Sequence, residues 1–139
     1  MKTAIRYYSF TGHTKKLALA IAEITKTPPK TIKEPVTDVD LLFIGGAIYA
    51  DQMNPKLKEF IGKLDKSIKR VAIFSSSTSG SSIAEESRKI LKAKGIEVLD
   101  EDFSCPGSFF FAQRGRPNID DLELVKVFAA KSVAACNND

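Results

Sequence analysis

Ser9-Phe10-Thr11-Gly12-His13-Thr14 joins two segments of different period, and the reading of the chain follows from that junction. Before it, Thr3 to Tyr8 is a short β-type run. After it, Thr14 to Ile24 places Leu17, Ala18, Ile21, Ala22 and Ile24 on one side of a helix. A strand therefore feeds a helix through a turn built of small and hydroxyl residues.

The alternation continues downstream. Pro28 and Pro29 end the helix and open a loop, and Thr31 to Lys33 reads as a short second strand. Asp40 to Gly46 is an apolar run of the kind found in a central parallel strand covered on both faces. Asn54-Pro55 starts the next helix, a capping side chain followed by proline at the first helical position. Leu57, Phe60, Ile61 and Leu64 then recur with helical period. Val71 to Phe74 is a fourth, buried strand followed by a serine-rich turn. Ile83 to Lys94 is amphipathic, with Gly95 as its C-terminal stop. Ile96 to Phe103 alternates as a fifth strand. Ile119 to Cys136 forms the last helix, with Asp120 and Asp121 in the first turn, where the dipole favours negative charge. This order predicts one α/β domain over residues 1–139, a doubly wound five-stranded parallel sheet with helices on both faces.

Bulk properties exclude several classes. A chain of 139 residues buries enough surface for a three-layer core without staples. Two cysteines are too few for a disulfide framework, and a single histidine removes a Cys/His zinc site. The longest apolar run, Leu41 to Ile48, is interrupted by Gly45 and Gly46 and falls far short of a membrane span. Met1 to Tyr8 lacks the apolar core of a signal peptide, so a cytoplasmic location is expected. The formal charge is +4, but the lysines are scattered along helix faces without interleaved aromatics. Neither a nucleic-acid nor a membrane surface is expected from them.

Ligands of doubly wound sheets bind outside the carboxyl ends of the strands, which directs attention back to Ser9–Thr14. Gly12 allows the backbone angles of a tight nest. The first N–H groups of the following helix face that nest, and the dipole favours an anion there. Ser9, Thr11 and Thr14 add hydroxyls. The arrangement suits a phosphate monoester without a cationic side chain in contact. A ligand-free, Ser/Thr-capped helix start is the plainer alternative, but one cap does not need three hydroxyl residues around a glycine.

The turn resembles the phosphate loop of the flavodoxin family, (Ser/Thr)-x-Thr-Gly-x-Thr, matched here by Ser9, Thr11, Gly12 and Thr14. The resemblance covers nearly the whole chain. Gly45-Gly46-Ala47-Ile48-Tyr49-Ala50-Asp51 stands where flavodoxins place the first loop at the flavin ring, and Ser75 to Gly80 where they place the second. Gly115-Arg116-Pro117-Asn118 is similar to a short-chain bacterial subgroup. The resemblance implies strand order 2-1-3-4-5 and FMN held non-covalently at the C-terminal edge of the sheet. It implies phosphate contacts from Ser9, Phe10, Thr11, Gly12, His13 and Thr14. Ring contacts would come from Ala47, Ile48, Tyr49 and Ala50 on one side, with Tyr49 stacked on the ring. The other side would be Ser75, Ser76, Ser77, Ser79 and Gly80. No metal is implied.

The sequence also departs from the family. Ala50 stands where many flavodoxins carry glycine, and no tryptophan is present. The Ser75–Gly80 loop lacks an aromatic residue; Phe109-Phe110-Phe111 offers one, against the plainer reading that these rings pack under the last helix. Flavodoxins are usually acidic, whereas this chain has a pI near 9.1. His13 reads as an exposed position of the turn, Cys105 as a buried thiol just past the fifth strand, and Arg114 and Arg116 as solvated loop charges. The resemblance implies an electron-transfer protein, a carrier serving redox partner proteins rather than a self-sufficient enzyme. Two alternatives stay open. One is an FMN-dependent oxidoreductase acting on a quinone, porphyrinogen or NAD(P)H. The other is a flavodoxin-fold binding module without tightly bound flavin.

Overall fold

The computed structural model describes residues 1–9, 12–49, 52–77, 82–106 and 117–137. The expected alternation is present, with some elements shifted or divided. β1 (Thr3–Tyr7) leads into α1 (His13–Thr25), β2 (Pro29–Thr31) and β3 (Leu41–Tyr49). β4 (Gln52–Met53) folds back on β3 ahead of α2 (Pro55–Gly62). β5 (Arg70–Ser77), α3 (Ala84–Ala93), β6 (Glu97–Val98), β7 (Phe103–Pro106) and α4 (Ile119–Asn137) follow. No helix among the described residues is long and apolar enough to cross a membrane.

β2, β1, β3, β5 and β6 lie side by side in that order, all parallel. β7 continues along the same edge of β5. Counting β6 and β7 as one interrupted strand recovers the order 2-1-3-4-5. The interruption corrects the expected continuous strand from Ile96 to Phe103. Its acidic stretch Asp100-Glu101-Asp102 has low strand propensity, and it leaves the ladder to meet α3. There Arg88 donates to the Asp100 carbonyl at 3.0 Å and to Asp102 Oδ1 at 3.3 Å.

Side chains of β3 alternate strictly. Leu41 and Phe43 face α1 and α4, together with Ile5, Leu17, Phe74 and Phe128. Leu42 and Ile44 face α2 and α3, together with Leu57, Ile61, Ile73 and Leu91. The period of two over a strand buried on both sides produces two cores from one apolar run. Phe43 and Phe128 close the α1/α4 core with rings edge to face, centroids 6.0 Å apart. Glycine is required inside β3. A Cβ on Gly45 would run into the Phe74 ring, and one on Gly46 into Leu57.

Other boundaries differ for local reasons. β2 begins at Pro29 rather than Thr31, because an edge strand tolerates proline at its first position. The expected strand from Val71 to Phe74 extends through Ser77, so the serines begin inside β5 and not in a turn. Ile24, expected on the apolar side of α1, is 39% exposed, while Ala20 is buried. The helix starts agree with the reading. Asn54 Oδ1 accepts from the Lys56 N–H at 2.8 Å ahead of α2. Gly95 takes φ +76° just beyond α3. At α4, Asn118 and Asp121 cap each other. Asn118 Oδ1 accepts the Asp121 N–H at 3.0 Å, and Asp121 Oδ2 accepts the Asn118 N–H at 2.8 Å.

Candidate functional site

The carboxyl ends of β1, β3 and β5 meet the N-terminus of α1 at one edge of the sheet. Gly12 precedes the helix with φ 89° and ψ −4°, a left-handed conformation that favours glycine. Ser9 Oγ accepts the Gly12 N–H at 3.0 Å and the Lys15 N–H at 3.4 Å. Both lone pairs of that hydroxyl brace the turn, and its own proton is left to donate. The turn thus presents a helix N-terminus, a left-handed glycine and a hydroxyl donor, a donor set suited to a phosphate group. Phe10 and Thr11 lie outside the described residues.

His13 occupies the first position of α1. Burial, and then the charge of Lys16, holds its imidazole below the ordinary histidine pKa.

Thr14, expected to add a hydroxyl to the turn, is the second residue of α1. Its side chain is 1% exposed, and Oγ1 shares a 3.0 Å hydrogen bond with Ser76 Oγ at the end of β5. The reason is packing: the first turn of α1 sits directly over β5, and an unpaired hydroxyl there would be costly. Thr14 therefore ties the two predicted binding segments together. Ser75 is also structural. Its buried Oγ accepts the Ile83 N–H at 3.1 Å and bonds Ser82 Oγ at 3.1 Å, which anchors the start of α3.

Ala47, Ile48 and Tyr49 were expected in a loop but belong to β3. Ala47 stands beside Ser76 and Ile48 beside Ser77 in the parallel ladder. The chain then reverses, pairing Ile48 with Met53 and Tyr49 with Gln52. Ile48 is buried in the α2/α3 core, so only its main chain is available at the edge. Ala50, Ser79 and Gly80 lie outside the described residues, as do the side chains of Tyr49 and Ser77, the Phe109–Phe111 run, Arg114 and Arg116. Cys105 lies within β7, beside Ser76 in the ladder and 4% exposed, rather than past the strand. The structure places Ser9, Gly12, Thr14, Ala47 and Ser76 at one edge of the sheet.

A groove of about 1180 Å³ adjoins this edge, lined among others by Ser9, Gly12, Phe60 of α2 and Leu64 just beyond that helix. Sequence reading missed it. Its signal was the Ile32–Asp40 connection between two parallel strands, which carries no helical period.

A flavodoxin-domain family model matches residues 4–126. An uncharacterized protein of Methanocaldococcus jannaschii is 31% identical, with 93% of this chain and 96% of that protein covered. Among solved structures, a flavodoxin from the domain Archaea superposes with a TM-score of 0.82 at 18% identity, over 99% of both chains. Oxidised flavodoxin 1 from Bacillus cereus superposes with a TM-score of 0.77 at 19% identity, covering 96% of this chain and 98% of that one. The sheet order, the left-handed glycine turn at α1 and a family match spanning nearly all the elements agree, and the chain belongs to the flavodoxin-domain family.

Proposed function

We propose that this protein binds FMN non-covalently through its phosphate at the Ser9–Thr14 turn and serves as an electron carrier for redox partner proteins. The observation that carries the reading is the left-handed Gly12 ahead of α1, braced by Ser9. Among the described residues, a Cβ built at Gly12 meets nothing within 4 Å. Main-chain N–H groups of the first turn and the Ser9 hydroxyl would hold a dianion there. Phe10, Thr11 and His13 would add to the same grip. Thr14 acts at one remove, by fixing α1 to β5 through Ser76.

Main-chain groups of Ala47, Ile48, Tyr49 and Ala50 would line one side of the flavin ring, with Tyr49 stacked on it. Ser75, Ser76, Ser77, Ser79 and Gly80 would line the other. There the buried hydroxyls of Ser75 and Ser76 shape the segment, and the backbone makes the contact. When bound, FMN supplies the redox chemistry, and the protein supplies orientation, electrostatics and partner docking. The reading places the chain in the cytoplasm as one domain over residues 1–139, acting with neither nucleic acid nor membrane.

The test is reconstitution of the apoprotein with FMN, followed by reduction and mixing with a one-electron acceptor protein. A yellow complex that passes electrons onward, without turning over NAD(P)H or a quinone by itself, is the expected outcome. Turnover of NAD(P)H or a quinone alone would make the protein an enzyme. A colourless protein that ignores added FMN would leave a binding module.

A further inference from the structure

The connection from β2 to β3 crosses β1 without a helix, although parallel neighbours are usually joined by one. Ile32 and Val36 of this connection pack on the α2/α3 core beside Tyr8 and Phe60. They are too few to fill the space a helix would take, and the groove beside α2 is what remains. Arg6 fixes its outer wall from below. The buried guanidinium donates to the carbonyls of Glu34 at 2.9 Å, Ile5 at 3.0 Å and Pro35 at 3.1 Å. The groove is therefore a built feature with a braced wall.

Its lining is cationic on balance, with Lys15, Lys33, Lys56 and Lys63 against Glu59 and Asp65. Ile32, Val36, Phe60 and Leu64 give it an apolar floor. Lys15, Lys33 and Lys56 stand exposed around it, and none makes an ion pair among the described residues. The charge of Lys63 is already matched, at 2.9 Å from Glu59. Three lysines without an ion pair among the described residues outnumber Asp65, the remaining acid of the lining, and over an apolar trough they select an occupant with carboxylates outside and apolar side chains inside. Lysines spaced from α1 through the β2–β3 connection to α2 along an apolar floor suit a polypeptide segment.

We infer that this groove docks an acidic, partly apolar segment of a protein partner. Its carboxylates face Lys15, Lys33 and Lys56, and its apolar side chains lie on Val36 and Phe60. The inference rests on the carrier reading for the partner's role, because Ser9 and Gly12 of the proposed phosphate turn also line the groove. The docking itself does not require flavin.

The experiment uses fluorescence anisotropy with two labelled synthetic peptides on the full chain, with and without FMN. One peptide is rich in Glu and Asp with two spaced phenylalanines; the other replaces every acid with lysine. The acidic peptide is expected to bind and the basic one not, with affinity falling about tenfold between low and physiological salt. The double variant Lys33→Glu/Lys56→Glu should lose about tenfold as well. Lys131→Glu, on α4 across the sheet, should lose nothing. Equal binding of both peptides, or equal loss in the Lys131 variant, would overturn the docking site. So would amide shifts around Phe60 on adding dodecyl phosphate while the acidic peptide fails to bind. FMN binding without acidic-peptide binding sinks this inference alone. Acidic-peptide binding without FMN binding upholds it and sinks the redox reading.

Discussion

Gly12→Ala tests the phosphate turn with a change that adds one methyl group and clashes with none of the described residues. The residue sits at φ 89°, and among those residues a Cβ there meets nothing within 4 Å, so the expected effect is on the backbone. Holding an L-residue in the left-handed region costs about 1–2 kcal/mol. Among described contacts, the turn is kept in that shape by the 3.0 Å bond from the Gly12 N–H to Ser9 Oγ, worth about 1 kcal/mol net. Alanine therefore relaxes the turn in the free protein, and FMN must restore it on binding. Restoring about 1–2 kcal/mol corresponds to about a five- to thirty-fold weaker FMN complex. Riboflavin, lacking the phosphate, should bind as before. Gly95→Ala is the matched control, because Gly95 has φ +76° but lies at the end of α3, far from the turn in sequence and element. Its Cβ would displace only the flexible end of Lys66. Both variants should lose about 1–2 kcal/mol or less in urea unfolding, but only Gly12→Ala should narrow the FMN-to-riboflavin affinity ratio. The assay is quenching of flavin fluorescence by each folded apoprotein. A ratio unchanged in Gly12→Ala, or narrowed equally in Gly95→Ala, would refute the reasoning.

Three further outcomes are expected. Arg6→Met removes a buried guanidinium from three carbonyls and should destabilise the protein by about 2–3 kcal/mol in urea unfolding. Gly46→Ala forces a Cβ into Leu57 and should cost about 1–3 kcal/mol. Adding Leu57→Ala to it should cost clearly less than the sum of the two single changes, a coupling that a double-mutant cycle measures. His13 has a lowered pKa in the fold, so the unfolded chain takes up its proton first as pH falls. Stability should decline as pH drops through the ordinary histidine value, about 6.5. His13→Gln should flatten the stability–pH curve there, and an unchanged slope would count against the burial of this imidazole.

How far the fold could be read depended on whether local signals carried the decision. Asn54-Pro55, Gly95 and the continuous apolar run before Gly45 each specify their own geometry, and each stands as read. Gly12 was recognisable because the nest needs a residue without a Cβ. The polar end of β5 was not legible, since serines ordinarily mark turns. Ser75 and Ser76 remain in the strand because their hydroxyls are satisfied by Ile83, Ser82 and Thr14, partners whose proximity exists only in the fold. The hairpin at β4 is two residues long, too short for any periodicity. The break between β6 and β7 depends on Arg88 reaching across from α3. The burial of Arg6 depends on a helix-free crossover that no single segment announces.

The affinity of one apoprotein preparation for FMN and for riboflavin, measured side by side, bears most directly on the phosphate grip at Ser9 and Gly12. A helix N-terminus and a braced main-chain nest aimed at a dianion predict that FMN binds at least about a hundredfold more tightly, since two or more charge-assisted hydrogen bonds distinguish the two flavins. Equal affinities would contradict the account, because the flavin would then be held by its ring alone.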